Sequence, residues 1–260
     1  MIHFFPSRPI ALDVLGFGIH WYGLLYLLAF LIGWMLLPHL LKTRGLTLSS
    51  DDRSNFFTAV ILGVLVGGRL GFVFFYEPQY FLQHPLDIFA VWKGGMSSHG
   101  GFIGVLLALF LFCRSHRIDW RALGDVIIVP VAIGLALGRI GNFINQEVYG
   151  TATTLPWGIA IPGVEGLRHP TQIYAFFKDI FITGVCYLHL TRVKPIRPGS
   201  TGALFLMLYG VLRFLVEFVR EQDYPPFVLG SLSLTRGQLL TLPIFAAGVL
   251  VWWLSRKTHA

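Results

Sequence analysis

Seven apolar segments follow one another along this chain, and together they restrict the folds that it can adopt. A helix that crosses a bilayer needs about 20 predominantly apolar residues. The segments approach or exceed that length and run over residues 17–41, 54–76, 99–114, 122–140, 171–191, 201–220 and 236–255. The sequence therefore predicts an all-α membrane protein with seven transmembrane helices, folded as a single integral membrane domain over residues 1–260. The third segment is the shortest, and its glycine-rich start also allows a partly re-entrant helix.

The composition of the chain favours the same class. Hydrophobic residues make up 55% and charged residues 13% of the chain, whereas charged residues reach about 25% in soluble domains. The net charge of +7 comes from short basic clusters between the apolar segments, a pattern typical of membrane topology signals and not of a nucleic-acid-binding face. The two cysteines, Cys113 and Cys186, lie inside apolar segments without metal-ligand spacing, so neither a disulfide framework nor a zinc site is predicted.

The distribution of lysine and arginine predicts the orientation in the membrane. The connections after the first, third and fifth segments, together with the C-terminus, hold eleven of these residues, and the opposite side holds six, including Arg8. Because cytoplasmic loops carry the excess of positive charge, we expect the N-terminus outside and the C-terminus in the cytoplasm. The first segment is expected to be retained, because no small-residue cleavage site follows it. The connection 142–169 is rich in glycine and proline and is predicted to be an external loop or small head, with short strands such as 157–161.

The end of the fourth segment is unusually polar for a membrane helix. Residues 138–150 read GRIGNFINQEVYG and include Arg139, Asn142, Asn145 and Glu147. Polar groups left unpaired in hydrocarbon are costly, so such a cluster needs partners or a ligand. Arg139 and Asn142 share a face if the helix continues that far. Two alternatives stay open: the asparagines can end the helix in the left-handed conformation, and Glu147 can either orient an arginine or act as an acid–base group.

A second set of polar residues is predicted to form one face of the sixth segment. Its members recur at intervals of three and four residues and are Tyr209, Arg213, Glu217 and Arg220. Arg213 can form an ion pair with Glu217, or it can hold an anion together with Arg139 from another helix. An intramembrane arginine costs about 2.5–3.5 kcal/mol on insertion scales, so Arg69 in the second segment also requires a partner or a ligand.

His99 stands between two pairs of glycines in the sequence GGMSSHGG, which let the backbone approach another group closely. An imidazole titrates near neutral pH, so His99 is a candidate general base, although a lone interfacial histidine is more often a satisfied polar residue. A serine–histidine dyad with Ser97 or Ser98 is not favoured, because adjacent side chains rarely point at one another. The outer half shows no paired carboxylates or HxxxH spacing, so no metal site is predicted.

The chain closely resembles the bacterial prolipoprotein diacylglyceryl transferases over nearly its whole length. Residues 138–150 match the family signature Gly-Arg-x-x-Asn-Phe-x-Asn-x-Glu-x-x-Gly at every defined position. The supporting matches are HWYGL at 20–24, GGMSSHGG at 94–101, RHPTQIY at 168–174 and YGVLRFLVEF at 209–218. One departure is visible after Tyr174, where Ala175 stands in place of an expected glutamate.

The resemblance implies a multi-pass enzyme of the bacterial inner membrane with its active site toward the periplasm. It would move the diacylglyceryl group of phosphatidylglycerol to the lipobox cysteine of a preprolipoprotein and release glycerol 1-phosphate. It implies no cofactor and no nucleic-acid partner. The partners are these substrates and membrane lipids, and we expect a monomer. The family's functional positions map to Tyr26, His99, Asp125, Arg139, Asn142, Glu147, Gly150, Tyr209, Arg213 and Glu217.

These positions receive distinct predicted roles. Arg139 and Arg213 would hold the phosphate of the lipid, and His99 would accept the thiol proton. Substrate binding is predicted for Tyr26, Arg69, Asn142, Asn145, Glu147, Gly150, Tyr209 and Glu217. Asp125, near the inner end of the fourth segment, is predicted to be structural or supporting.

Two other classes of function compete with this hypothesis. Buried arginines also occur along the permeation paths of anion or lipid transporters, although the chain lacks the paired repeats that are typical of transporters. A phospholipid head-group enzyme that uses a metal is the second alternative, and sensitivity to a chelator would favour it.

Overall fold

The computed structural model describes residues 10–14, 17–222, 224–229 and 232–257. Arg8, which enters the orientation argument, lies outside the described residues. The helices are α1 Trp21–Arg44, α2 Ser50–Phe75, α3 Pro78–Gln83, α4 Ser98–His116, α5 Trp120–Ile144, α6 Thr171–Arg192, α7 Ser200–Val216 and α8 Arg236–Lys257. Three antiparallel pairs of short strands join β1 Ile10–Val14 with β2 Phe17–His20, β3 Ile159–Ala160 with β4 Leu167–Arg168, and β5 Phe227–Leu229 with β6 Leu232–Leu234.

Seven of these helices are long and apolar enough to cross a membrane, which confirms the predicted number. They are α1, α2 and α4 to α8, whereas α3 has only six residues. The predicted start of the first span at residue 17 was wrong, because residues 17–20 form β2 and the helix begins at Trp21. A short apolar run does not distinguish a strand from a helix by composition. The orientation of the termini stays a prediction.

The third span begins as a regular helix. Ser97 is the N-cap of α4, and its Oγ accepts a hydrogen bond from the Gly100 backbone N at 3.3 Å. The helix then continues to His116 without a break. The capping serine satisfies a free N–H group at the helix start, and the re-entrant alternative for this segment stays open.

The chain divides into two compact units, one of residues 45–124 and one of residues 1–44 with 125–260. The predicted single domain stays a prediction. In the unit of residues 45–124, α2 and α4 approach closely along glycines spaced four residues apart. A Cβ on Gly63 would lie 2.9 Å from the Gly104 carbonyl carbon, and one on Gly71 would lie 2.7 Å from the Gly100 Cα. Small residues permit this approach, which supplies the packing contacts that hold helices together in lipid.

The other unit contains α1, α6, α7, α8 and most of α5. Its core includes the fully buried Ile182, Leu190 and Ala203. The Asp125 carboxylate accepts hydrogen bonds from the backbone N of Gly199, Thr201 and Gly202 at 2.8–2.9 Å. Arg44 Nε lies 3.6 Å from the same carboxylate. Asp125 therefore fixes the start of α7 and gives Arg44 a buried partner, since carboxylates stabilise helix N-termini.

The connection after α5 contains short strands, as the sequence predicts, and its place outside the membrane stays a prediction. β3 and β4 pair there, and residues 159–160 fall within the predicted strand region. The helix α5 runs to Ile144, four residues beyond the predicted end at 140, so Asn142 lies within it. The left-handed residues that follow are Gln146 at φ 58° and Val148 at φ 60°. Asn142 therefore does not end the helix, and Asn145, which follows its last residue, does not adopt the left-handed conformation.

Candidate active site

A small cavity in the unit of residues 1–44 and 125–260 brings three arginines together. Arg139 comes from α5, Arg213 from α7 and Arg220 from the chain just after it. The rest of the lining consists of Val148, Thr171, Gln172, Ala175 and Val216. The cavity volume is about 20 Å³, which is room for a water-sized molecule. A phosphate group is larger than this volume.

Arg139 is oriented by the residue one turn further along α5. Its Nη1 donates a hydrogen bond to Asn142 Oδ1 at 3.1 Å, as the predicted shared face requires. Among the described residues this is the only hydrogen bond of the guanidinium. Its Nε lies 3.8 Å from Asp179 Oδ2, a charge contact without hydrogen-bond geometry. Arg139 thus keeps donors that an anionic ligand can use.

Glu147 and Tyr22 hold the Asn142 amide in place. Asn142 Nδ2 donates to Glu147 Oε1 at 2.9 Å and also contacts the Tyr22 hydroxyl. The Tyr22 hydroxyl donates to the same carboxylate oxygen. Because the amide nitrogen faces Glu147, the amide oxygen faces Arg139. Glu147 therefore orients the arginine indirectly, which is one of the two roles considered for it.

The backbone around Glu147 is tied to the start of α6. Gln172 Nε2 donates to the Glu147 carbonyl at 2.8 Å, and Thr171 Oγ1 donates to the Val148 carbonyl at 2.8 Å. Gly150 lies against the backbone of residues 169 and 219, where a Cβ would come within 2.6 Å of the His169 Cβ. Only glycine permits this approach, so Gly150 holds the segment after α5 close to the end of α7.

Arg213 forms the predicted ion pair with Glu217 and also lines the cavity, while its predicted role in holding an anion together with Arg139 stays a prediction. Glu217 is 2% exposed, and its Oε2 lies 3.8 Å from Arg220 Nη1. A Cβ on Gly237, in the first turn of α8, would overlap the Glu217 carboxylate. The glycine therefore makes room for a buried carboxylate that is shared by two arginines.

Comparison with known proteins identifies the family. The sequence profile of the prolipoprotein diacylglyceryl transferases matches residues 9–254. The chain belongs to this family. A phosphatidylglycerol–prolipoprotein diacylglyceryl transferase of Cereibacter sphaeroides is 43% identical over 93% of this chain and 92% of its own length. Enzymes with the same name from Legionella pneumophila and Nitrosospira multiformis are 40% and 42% identical, over 96% and 97% of this chain and 97% and 88% of their own lengths.

Three further residues with predicted roles, Tyr26, Asn145 and Tyr209, have different environments in this member of the family. Tyr26 is exposed and stacks on Tyr22 with ring centroids 6.1 Å apart. Asn145 Oδ1 is buried without a hydrogen bond from another described residue. Tyr209 lies on α7 one turn before Arg213. The roles predicted for these side chains stay predictions.

His99 and Arg69 belong to the unit of residues 45–124. His99 is exposed in the first turn of α4, and its role as a base stays a prediction. Arg69 is 6% exposed. Its guanidinium donates five hydrogen bonds to backbone carbonyls of the segment between α2 and α4, those of residues 87, 88, 90, 94 and 95. Arg69 therefore holds this segment against α2, and its predicted role in substrate binding remains to be tested.

Three functional candidates escaped the sequence analysis. Tyr22 lies within the matched HWYGL stretch, but only the fold brings its hydroxyl to Glu147. Lys178 and Asp179 are charged residues inside a predicted span, and the cost of burying such charges in hydrocarbon is the sequence signal that marks them. No group of three or more His, Cys, Asp or Glu side chains that could hold a metal ion occurs among the described residues.

Proposed function

We propose that this chain transfers the diacylglyceryl group of phosphatidylglycerol to the lipobox cysteine of preprolipoproteins. The product is a thioether, and glycerol 1-phosphate is released. The observation that carries the proposal is the meeting of Arg139 and Arg213, from two different helices, at one cavity. Membership of the family and 40–43% identity to relatives named for this activity support it.

The charge that develops in this reaction explains the need for two arginines. The thiolate attacks a glyceryl carbon, the C–S bond forms, and the C–O bond to the phosphate breaks. The phosphodiester carries one negative charge, and the departing phosphate monoester carries up to two. Guanidinium groups at the phosphate therefore stabilise the transition state more than the bound lipid. The attacking sulfur belongs to the substrate, and the chain's own cysteines, Cys113 and Cys186, are both buried.

The contacts of the cavity suggest a division of roles. Arg139 and Arg213 would contact the phosphate oxygens, while Asn142 and Glu217 would hold these arginines in orientation. His99 is proposed from the sequence as the group that accepts the thiol proton. The proposal includes a monomeric enzyme in the bacterial inner membrane, with the reaction on the periplasmic side and without a cofactor.

The direct test is an assay of the purified protein with phosphatidylglycerol and a lipobox peptide, in which glycerol phosphate release is followed. Arg139→Ala is expected to lower kcat/KM by about 100-fold or more, the usual effect of removing one transition-state donor. Arg114→Ala, which removes an exposed arginine at the end of α4, serves as the control and should keep parental kinetics. Near-full activity of a folded Arg139→Ala variant would contradict the mechanism.

Further measurements separate the proposal from its alternatives. If the pH dependence of the single-turnover rate is unchanged in His99→Ala, His99 has a structural role and is not the base. Loss of activity on chelation would favour a metal-using head-group enzyme. Lipid or anion flux through proteoliposomes without transfer to the peptide would favour a transporter.

A further inference from the structure

Two charged residues inside α6 are not used by the proposed reaction. Lys178 and Asp179 lie within a span that is long and apolar enough to cross a membrane, and they are 7% and 0% exposed. Consecutive helical residues point about 100° apart, yet Lys178 Nζ donates a hydrogen bond to Asp179 Oδ1. An unpaired charge at either position would be costly in hydrocarbon, so each of the two residues needs the other as its partner.

The second carboxylate oxygen of Asp179 faces Arg139. Asp179 Oδ2 lies 3.8 Å from Arg139 Nε, and neither atom makes a hydrogen bond to another described residue. Asp179 therefore lies between two cations, bound closely to Lys178 and distantly to Arg139. Without Lys178, the nearest cation to the buried Asp179 carboxylate among these ion pairs would be Arg139, and Arg213 would be a further charged neighbour.

Lys178 is also held by α7. Its Nζ lies 4.3 Å from the centroid of the Tyr209 ring, a distance at which an ammonium group and an aromatic face attract each other. Tyr209 precedes Arg213 by one turn of α7. Lys178 is thus fixed between Asp179 and the helix that supplies the second arginine of the cavity.

We propose that Lys178 is a positioning residue, which neutralises Asp179 and so keeps the Arg139 guanidinium available to an anionic lipid phosphate. This inference rests on the proposed function for its kinetic consequence. The lysine takes the carboxylate that would otherwise draw Arg139 into a direct ion pair. Arg139 then keeps its hydrogen bond to Asn142 and its place at the cavity.

The test is a double-mutant cycle on the pair, in which Asp179→Asn is measured as the second single variant. Lys178→Met removes the charge and keeps the chain length. We expect it to lower kcat/KM by about tenfold or more, with a raised KM for phosphatidylglycerol as well as a lower kcat, because Arg139 would contact the phosphate in the bound lipid and in the transition state. Lys178→Arg should retain most of the activity, because it keeps a cation at this position. The double variant Lys178→Met/Asp179→Asn should recover to within about threefold of the parent, since the carboxylate that competes for Arg139 is then absent.

Lys194→Met is the matched control, because it removes an exposed lysine that donates to the Thr43 carbonyl at 3.0 Å in the connection after α6. It should keep parental kinetics. Parental KM in a folded Lys178→Met variant, or additive losses in the double variant, would overturn the inference. If Lys178→Met does not fold, the double variant is the deciding measurement, because it buries no unpaired charge. Activity near that of the parent then supports the inference. Loss of activity in folded double variant overturns it.

Direct binding of phosphatidylglycerol in nanodiscs, with uncharged lipid as background, provides a readout that does not need transfer. Weaker binding in Lys178→Met and recovery in the double variant support the inference even if the parent transfers nothing to the peptide, in which case only the proposed function fails. Equal binding by the parent, Lys178→Met and the double variant would overturn the inference. The proposed function would still be supported if the parent transfers the diacylglyceryl group to the peptide.

Discussion

The Tyr22 hydroxyl donates a hydrogen bond to Glu147 Oε1, although the two residues are 125 positions apart in the chain. The same oxygen accepts a hydrogen bond from Asn142, whose amide oxygen in turn faces Arg139. The start of α1 therefore orients an arginine at the end of α5. This relationship connects two stretches that both match the family, HWYGL and GRIGNFINQEVYG.

Tyr22→Phe removes this hydroxyl and little else. Hydrogen bonds to charged groups contribute about 1.5–3 kcal/mol, so we expect kcat/KM to fall by about tenfold or more. Tyr187→Phe is the matched control, because its hydroxyl makes only a 3.4 Å contact with His39 on α1. Steady-state kinetics of glycerol phosphate release measure the effect. Equal kinetics in the two variants would show that Glu147 and Asn142 hold Arg139 without the tyrosine.

Gly237→Ala introduces a methyl group where the Glu217 carboxylate lies. Overpacking of this kind costs about 1–3 kcal/mol, so we expect a lower unfolding temperature in detergent. Displacement of the carboxylate should also disturb Arg213 and lower activity.

The control for that substitution is Gly184→Ala on α6, where an added Cβ meets no heavy atom within 4 Å. It should be neutral, or stabilising by up to about 1 kcal/mol. Thermal unfolding and activity of both variants are compared. A Gly237→Ala variant that matches Gly184→Ala in both measurements would contradict the packing described for Glu217.

Asp125→Ala removes three hydrogen bonds to the start of α7 and leaves Arg44 without its carboxylate. Breaking a buried ion pair costs about 3–5 kcal/mol, so strong destabilisation is expected. Glu165→Gln, which changes an exposed carboxylate in the connection after α5, should be neutral within about 0.5 kcal/mol. Denaturant titration in micelles measures both, and equal midpoints would refute the structural role of Asp125.

Arg69→Lys tests whether Arg69 holds the segment between α2 and α4 or binds substrate. Lysine has three donors on one nitrogen and cannot reach the five carbonyls that the guanidinium contacts. We expect faster proteolysis within residues 76–97, compared with the parent and with Arg114→Lys as the control. Unchanged proteolysis with a raised KM for phosphatidylglycerol would instead support the predicted role in substrate binding.

Much of the architecture could be predicted because it depends on local properties of the chain. The seven helices follow from apolar runs of about 20 residues, since an isolated segment in lipid must satisfy its own backbone hydrogen bonds. The pairing of Arg139 with Asn142, and of Arg213 with Glu217, follows from helical spacing. The signature at 138–150 and the four supporting matches could be recognised in the sequence because each is a contiguous stretch.

Tertiary packing decided which of these local pieces meet. Helical spacing places Arg139 and Arg213 on faces of α5 and α7, but only the packing of these helices brings both to one cavity. The partners of Tyr22, Asp179 and Arg69 depend on the rotation and separation of neighbouring helices, which in lipid are set by side-chain packing and polar contacts over the whole interface. The sequence marked Arg69 as a charged residue in an apolar span, and only the tertiary structure showed that its partners are backbone carbonyls. Tyr22 and Asp179 were recognised only when the packed helices brought them to Glu147 and Arg139.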